Sequence, residues 1–132
     1  MTQEDRQLLL KDLCGRLPYG VKVYDTKSSV DVPYMNLCHV NGIINEVFIS
    51  SGMICRTAPI EDIKPYLFSL SSMNEEQKEE YCQLQQKIIY NSKGFVNTDI
   101  INYINWCYKN HLDVNGLISL DLAIDATNKN IY

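Results

Sequence analysis

Between residues 20 and 58 the hydrophobic pattern has a period of two, with a turn pair at Asn41-Gly42 and another at Ser51-Gly52. No other feature restricts the fold as strongly. Val21 and Val23 alternate with Lys22 and Tyr24, and Thr26 opens a polar turn. Asn-Gly between apolar runs is the strongest short hairpin signal, because both residues accept positive φ. Taken as a two-residue turn, it sets Val40 opposite Ile43 and Met35 opposite Phe48. The Ser51-Gly52 turn lays residues 53–57 back along 47–50. A three- or four-stranded antiparallel meander is expected.

Helical patterns flank it. Thr2 fits an N-cap, and Glu4 and Asp5 suit the positive end of a helix dipole over residues 3–14. Leu9, Leu10, Leu13 and Leu17 form its stripe, Gly15 is expected to stop it, and Pro18 blocks its return. After Pro59, residues 60–67 read as one or two helical turns interrupted by Pro65, and 69–72 as a loop. Ser72 and Glu75 match a capping box for a helix reaching about Tyr90. Glu75, Glu76, Lys78, Glu79 and Glu80 give it a solvated face, and Tyr81, Leu84 and Ile88 a buried one. Residues 91–94 end it. Thr98 is expected to cap a last helix over 99–110, with Ile100, Ile101, Ile104, Cys107 and Tyr108 inward and Trp106 half-buried. Beyond a turn at Asn115-Gly116, alternation from Ile118 to Ile124 fits a strand; a helical turn before a shorter strand over 122–126 competes with it. Residues 128–132 are expected to fray. The fold expected is one α+β domain: a small antiparallel meander with an N-terminal helix and C-terminal helices packed on it.

The chemistry legible in the chain is sparse. Twelve basic against sixteen acidic side chains give a net charge of −4, which argues against a strongly basic nucleic-acid binder. Cys14, Cys38, Cys55, Cys82 and Cys107 contain no Cys-x-x-Cys pair and lie among apolar neighbours, so they read as small buried hydrophobes in a reducing compartment. Cys38 and His39, adjacent in a strand, are expected on opposite faces. His111 falls where a helix C-terminus favours His, with Asp113 two residues on. Cys107 and His111 have permissive metal spacing but no partner pair, and residues 113–116 break the calcium-loop pattern. No phosphate-cradling glycine loop is present. Glu61-Asp62 and Glu75-Glu76 sit at expected helix starts. These observations assign no catalytic residue, metal ligand or cofactor. The acidic start lacks a basic n-region and no apolar run reaches membrane length, so a cytoplasmic protein is expected.

Nine tyrosines accompany one Trp and three Phe, a balance favoured at interfaces. Tyr19, Tyr24, Tyr66 and Tyr132 fall in or near expected loops. The candidate interaction surface is Tyr19, Tyr24, Lys64, Tyr66 and Phe68, centred on a loop over 64–73. The candidate nucleic-acid contacts are Lys22, Lys27 and Arg56, joined by Lys64 and interleaved with Tyr19, Tyr24, Tyr34 and Phe48.

Three segments carry a resemblance: Leu17-Pro18-Tyr19-Gly20-Val21-Lys22-Val23; Ile60-Glu61-Asp62-Ile63-Lys64-Pro65-Tyr66-Leu67 followed by Ser71-Ser72-Met73; and residues 106–111 with Asn115-Gly116-Leu117-Ile118 and Leu122-Ala123-Ile124. Together they resemble a set of small uncharacterised proteins encoded by bacteriophages and prophages, mobile elements of gut anaerobic bacteria. Those relatives tend to have Gly where this chain has Asp121. The resemblance implies a mobile-element origin and a cytoplasmic location, and it implies no activity. The expected function is a non-enzymatic accessory module that docks a host or phage protein, with a homo-oligomer left open. The alternatives are a nucleic-acid or nucleoprotein accessory factor using the sheet face, and a small enzyme with a pocket near His39 or His111.

Overall fold

The computed structural model describes residues 1–28, 32–90 and 97–132. Helix α1 spans Gln3–Arg16. Thr2 caps it as the sequence suggests, with Asp5 N–H donating to Thr2 Oγ1 at 3.0 Å in a reciprocal capping box. Gly15 does not stop this helix. A Cβ built there would stand 2.3 Å from the Tyr108 ring, so Gly15 lets α1 approach the last helix. The chain turns instead at Gly20 (φ 68°), after a 3-10 turn at Leu17–Tyr19.

The sheet has six strands in the order β4-β3-β2-β1-β5-β6. They are β1 Lys22–Asp25, β2 Met35–Asn41, β3 Glu46–Ser51, β4 Ile54–Pro59, β5 Ile63–Leu67 and β6 Ile124–Asp125. All neighbours are antiparallel except β5 and β6. The first hairpin exists, but its register differs from the two-residue reading. Its loop spans four residues, 42–45, with Asn45 left-handed (φ 53°) and Asn41 Oδ1 accepting from Ile43 N–H at 3.1 Å. Val40 therefore faces Val47, His39 faces Phe48, Leu37 faces Ile49, and Met35 pairs with Val23 of β1. The shorter turn would oppose Leu37 to Glu46 on the buried face, and one face buried fixes register strongly. In the second hairpin Ser51 pairs with Ile54, so Gly52 and Met53 form the turn and Met53 projects fully exposed.

Of residues 60–67 only the first three are helical. A 3-10 turn at Ile60–Asp62 leads into β5, where Ile63 and Leu67 are fully buried and Pro65 faces Val23. The expected docking loop over 64–73 thus begins as strand, to Leu67, and goes on into a 3-10 turn at Leu70–Ser72. Asn74, not Ser72, caps helix α2 (Glu75–Tyr90): Gln77 N–H donates to Asn74 Oδ1 at 2.8 Å and the Gln77 side chain accepts from Asn74 N–H. The expected end of α2 over 91–94 lies outside the described residues. Helix α3 spans Asn97–Lys109, so Thr98 is inside it. It ends in a Schellman motif: His111 N–H bonds the Tyr108 carbonyl, Leu112 N–H bonds the Cys107 carbonyl, and His111 is left-handed (φ 58°). The tail follows the competing reading, turns then the short strand β6. Asp121 takes φ 59°, a conformation that Gly accommodates without strain. Tyr132 does not fray; its hydroxyl donates to the Tyr66 carbonyl at 2.8 Å.

The main core joins Leu9 and Leu13 of α1 and Leu117, Leu122 and Ala123 of the tail to the inner sheet residues Val21, Val23, Leu37, Val47, Ile49 and Ile63. Each of these Leu, Ile and Val side chains contributes about 1.5–3 kcal/mol on burial. A second cluster gathers Met73, Cys107 and Leu112 with Phe68, Tyr81 and Trp106 between α2 and α3. The two are joined by a buried ion pair. Arg16 and Asp12 are both 0% exposed, with Arg16 Nε to Asp12 Oδ2 at 2.6 Å and Arg16 Nη2 to Asp12 Oδ1 at 3.0 Å. Arg16 Nη2 also donates to the Leu112 carbonyl at 2.7 Å, and Asn115 Nδ2 donates to Asp12 Oδ1 at 2.9 Å. The guanidinium lies 4.6 Å from the Tyr108 ring centroid.

Two stability outcomes follow from this packing. Gly15→Ala, which would normally favour a helix interior, is expected to destabilise by about 1–3 kcal/mol in urea unfolding, because the methyl overpacks against Tyr108. A stabilised variant would refute the close approach. Arg16→Met is expected to lose about 3–5 kcal/mol by stranding the Asp12 carboxylate, and the Asp12→Leu, Arg16→Met double variant to lose less. A double variant as unstable as the sum of its singles would show that the two charges are not coupled.

Candidate functional site

Strand alternation puts Lys22, Tyr24, Lys64 and Tyr66 on the outer face of β1 and β5, with Tyr24 directly opposite Lys64. Tyr24 is 42% exposed and meets the Tyr66 ring edge-on at 6.5 Å. Tyr66 itself is buried, its hydroxyl donating to the Pro33 carbonyl at 3.1 Å, and burial raises its pKa. Phe68 is also part of the packing, tilted against Tyr132 at 5.8 Å. Tyr19 lies apart in the 3-10 turn after α1. The expected surface of Tyr19, Tyr24, Lys64, Tyr66 and Phe68 is therefore split: Tyr24 and Lys64 face solvent together, while Tyr66 and Phe68 belong to the packing.

The basic residues are also divided. Lys22 Nζ lies 4.1 Å over the Tyr34 ring, and Lys64 Nζ pairs with Asp121 at 2.8 Å. Arg56 is held between Asp25 (Nε to Oδ2, 3.3 Å) and Asp62 (Nη2 to Oδ2, 3.1 Å). Asp25 also accepts from Lys27 N–H at 3.0 Å. Arg56 on β4 reaches Asp25 on β1 although two strands lie between them, so the sheet is strongly curled. A concavity of about 280 Å³ lies there, lined by Asp25, Lys27, Met35, Cys55 and Arg56 among others.

The hairpin side of the sheet is apolar and open. A concavity of about 330 Å³ is lined by His39, Asn41, Glu46, Val47, Phe48 and Thr57. Phe48 is 38% exposed at its centre, and Ile43, Ile44, Met53 and Ile54 project from the hairpin ends. A β-bulge between Leu37 and His39 exposes both Cys38 and His39, where regular alternation would have separated them. Cys38 Sγ lies 3.1 Å from Ser50 Oγ. Only Cys107 of the five cysteines is buried; Cys14, Cys38, Cys55 and Cys82 are exposed. Apolar sequence neighbours do not decide burial here: Cys38 and Cys55 occupy outward strand positions, and Cys14 and Cys82 lie on the outer faces of α1 and α2.

Strand β4 bounds this side. Among the described residues it is hydrogen-bonded to β3 alone. Because Ser51 and Ile54 flank a two-residue turn, Ile54, Arg56 and Ala58 bond to β3, and the main-chain groups of Cys55 and Thr57 point away from the sheet. Pro59, which has no N–H, falls on the same outward series. In the sequence, Pro59 is the one cue that β4 is an edge.

The two histidines are in different settings. His39 opens onto the hairpin concavity, whereas His111 stacks on Tyr132 with ring centroids 3.7 Å apart and planes 14° from parallel. Burial, with Arg16 and Lys22 nearby, lowers the His111 pKa to about 4. The Asp113 carboxylate accepts the backbone N–H groups of Leu117 (2.7 Å) and Ile118 (2.9 Å). Among the described residues no group of three or more His, Cys, Asp or Glu could hold a metal ion. No described helix is long and apolar enough to cross a membrane. Compared with protein-family models, curated proteins and solved structures, the chain matches none.

The depressed His111 pKa fixes a direction for acid stability. The unfolded imidazole takes up its proton near pH 6.5 and the folded one only near 4. Stability from this group is therefore full above about pH 6.5 and declines as the pH falls towards 4. Urea unfolding across that range should show this slope in the wild type and a flatter one in His111→Asn, a residue that tolerates the left-handed backbone. Identical slopes would exclude His111 as the source.

Proposed function

We propose that this protein is a non-enzymatic interaction module of a bacteriophage or other mobile element, acting in the cytoplasm. Its partner is a protein that adds an extended segment to the free edge of β4. The single observation carrying this reading is that edge. It offers outward main-chain groups at Cys55 and Thr57, with exposed Phe48 and Ile54 beside them. Natural sheets guard such edges with charged side chains. Here the only charge on β4 is Arg56, and it is turned to Asp25 and Asp62. Strand addition takes affinity from main-chain bonds and specificity from pockets for alternate side chains. The concavity around His39, Phe48 and Thr57 is such a pocket.

The nucleic-acid reading draws less support. Arg56 and Lys64 are paired with carboxylates, and the chain carries a net charge of −4.

Affinity capture from a lysate of the source cell, with and without nuclease, tests both. A stoichiometric protein should survive nuclease. Thr57→Pro, which removes one outward N–H, and Phe48→Ala should each weaken its capture at least tenfold, a loss of about 1.4 kcal/mol or more. Loss of the captured material on nuclease treatment, or undiminished capture by Thr57→Pro, would overturn the β4-edge reading.

A further inference from the structure

We infer that the cleft between the ends of β1 and β5 is a binding site for a para-substituted phenol, the side chain of tyrosine, and that the chain's own Tyr132 fills it. The register decides this. β1 and β5 pair Asp25 with Ile63, Tyr24 with Lys64 and Val23 with Pro65, so the next rung is Lys22 with Tyr66. Thr26 N–H bonds the Asp62 carbonyl at 2.9 Å, which places hydrogen-bonded pairs at every second rung and makes Lys22 with Tyr66 one of them. A direct Lys22 N–H to Tyr66 carbonyl bond is expected there. Instead the Tyr132 hydroxyl stands between the two groups. It accepts from Lys22 N–H at 3.0 Å and donates to the Tyr66 carbonyl at 2.8 Å.

A hydroxyl accepts and donates at the same atom, as this rung requires. An aromatic wall completes the site. His111 stacks flat on the ring at 3.7 Å and Phe68 tilts against it at 5.8 Å. The hydroxyl end is enclosed, and burial pushes its pKa up to about 12. The residue as a whole remains 41% exposed, so the ring lies in an open slot and can leave it without unfolding the core. The strap that carries it turns through two left-handed asparagines, Asn128 (φ 65°) and Asn130 (φ 52°), which hold it by backbone geometry while its side chains stay outside the core. In the intact chain a phenol from outside competes with a tethered one, whose effective concentration is about millimolar or higher. This site is separate from the β4 edge and does not depend on it.

The test uses Tyr132→Ala and Tyr132→Phe in the full chain, with p-cresol as the probe. Tyr132→Ala should melt several degrees below wild type. Millimolar p-cresol should raise its Tm while leaving wild type unchanged, and toluene at the same concentration should fail to do so. Equal effects of p-cresol and toluene, or no effect of either, would overturn the inference. Tyr132→Phe supplies a second, independent reading by hydrogen exchange. The stacked ring remains but the bridge is gone, so the Lys22 amide should exchange at least tenfold faster. Undiminished protection would mean that β1 and β5 close directly, and that no phenol site is built there.

Discussion

The Asp12–Arg16 pair is the interaction on which the remaining packing depends. Two full charges at 0% exposure are costly to desolvate, and the molecule offsets that with fixed partners on three elements. α1 supplies both charges, the turn after α3 supplies the Leu112 carbonyl, and the following turn supplies Asn115. Tyr108 covers the guanidinium and fills the space left by the missing Cβ of Gly15. The approach of α1 to α3, the Schellman ending of α3 and the path of the tail are thus tied to one buried guanidinium. Asp113 continues the same logic one turn further, its carboxylate fixing the amides of Leu117 and Ile118.

The outline of this fold was legible because its signals are local. Thr2 with Asp5, the acidic face of α2 and the two turn pairs each act within a few residues, and the α+β architecture follows from their order. What was not legible depends on contacts distant in sequence. Asp12 and Arg16 have the spacing of an ordinary exposed helix pair, and nothing in their neighbourhood marks them as buried. Gly15 looked like a helix stop because the Tyr108 ring that requires it is far along the chain. The helical pattern of residues 60–67 holds only to Asp62, because pairing with β1 draws the residues after it into a strand. Asn74 and Ser72 are rival caps two residues apart, and the 3-10 turn at Leu70–Ser72 decides between them.

For the functional surfaces the division is similar. Alternation places Tyr24 on the solvent face of a strand, whereas Lys64, expected in a helical turn or loop, joins it there only through the pairing of β5 with β1. It could not foresee that Tyr66 would be buried with its hydroxyl on the Pro33 carbonyl, or that Arg56 would turn across a curled sheet to Asp25 and Asp62. The bulge at Cys38 defeats alternation altogether, since one extra residue reverses every side chain beyond it. The Tyr132 bridge has no local signature, because its two partners, Lys22 and Tyr66, are distant in sequence.

The parallel pairing of β6 with β5 orders the assembly of this molecule in time. Tyr66 meets Ile124 and Leu67 meets Asp125, so β5 has no partner on that side until two helices have been made and folded back. On a ribosome, the antiparallel strands β1 to β5 can form while that flank is still bare. Closing so long a loop is slow relative to hairpin formation, and the ordering entropy is lost before the strand contacts compensate for it. A nascent chain therefore passes through a stage in which β5 is available to other extended polypeptides, and the arrival of β6 ends that exposure.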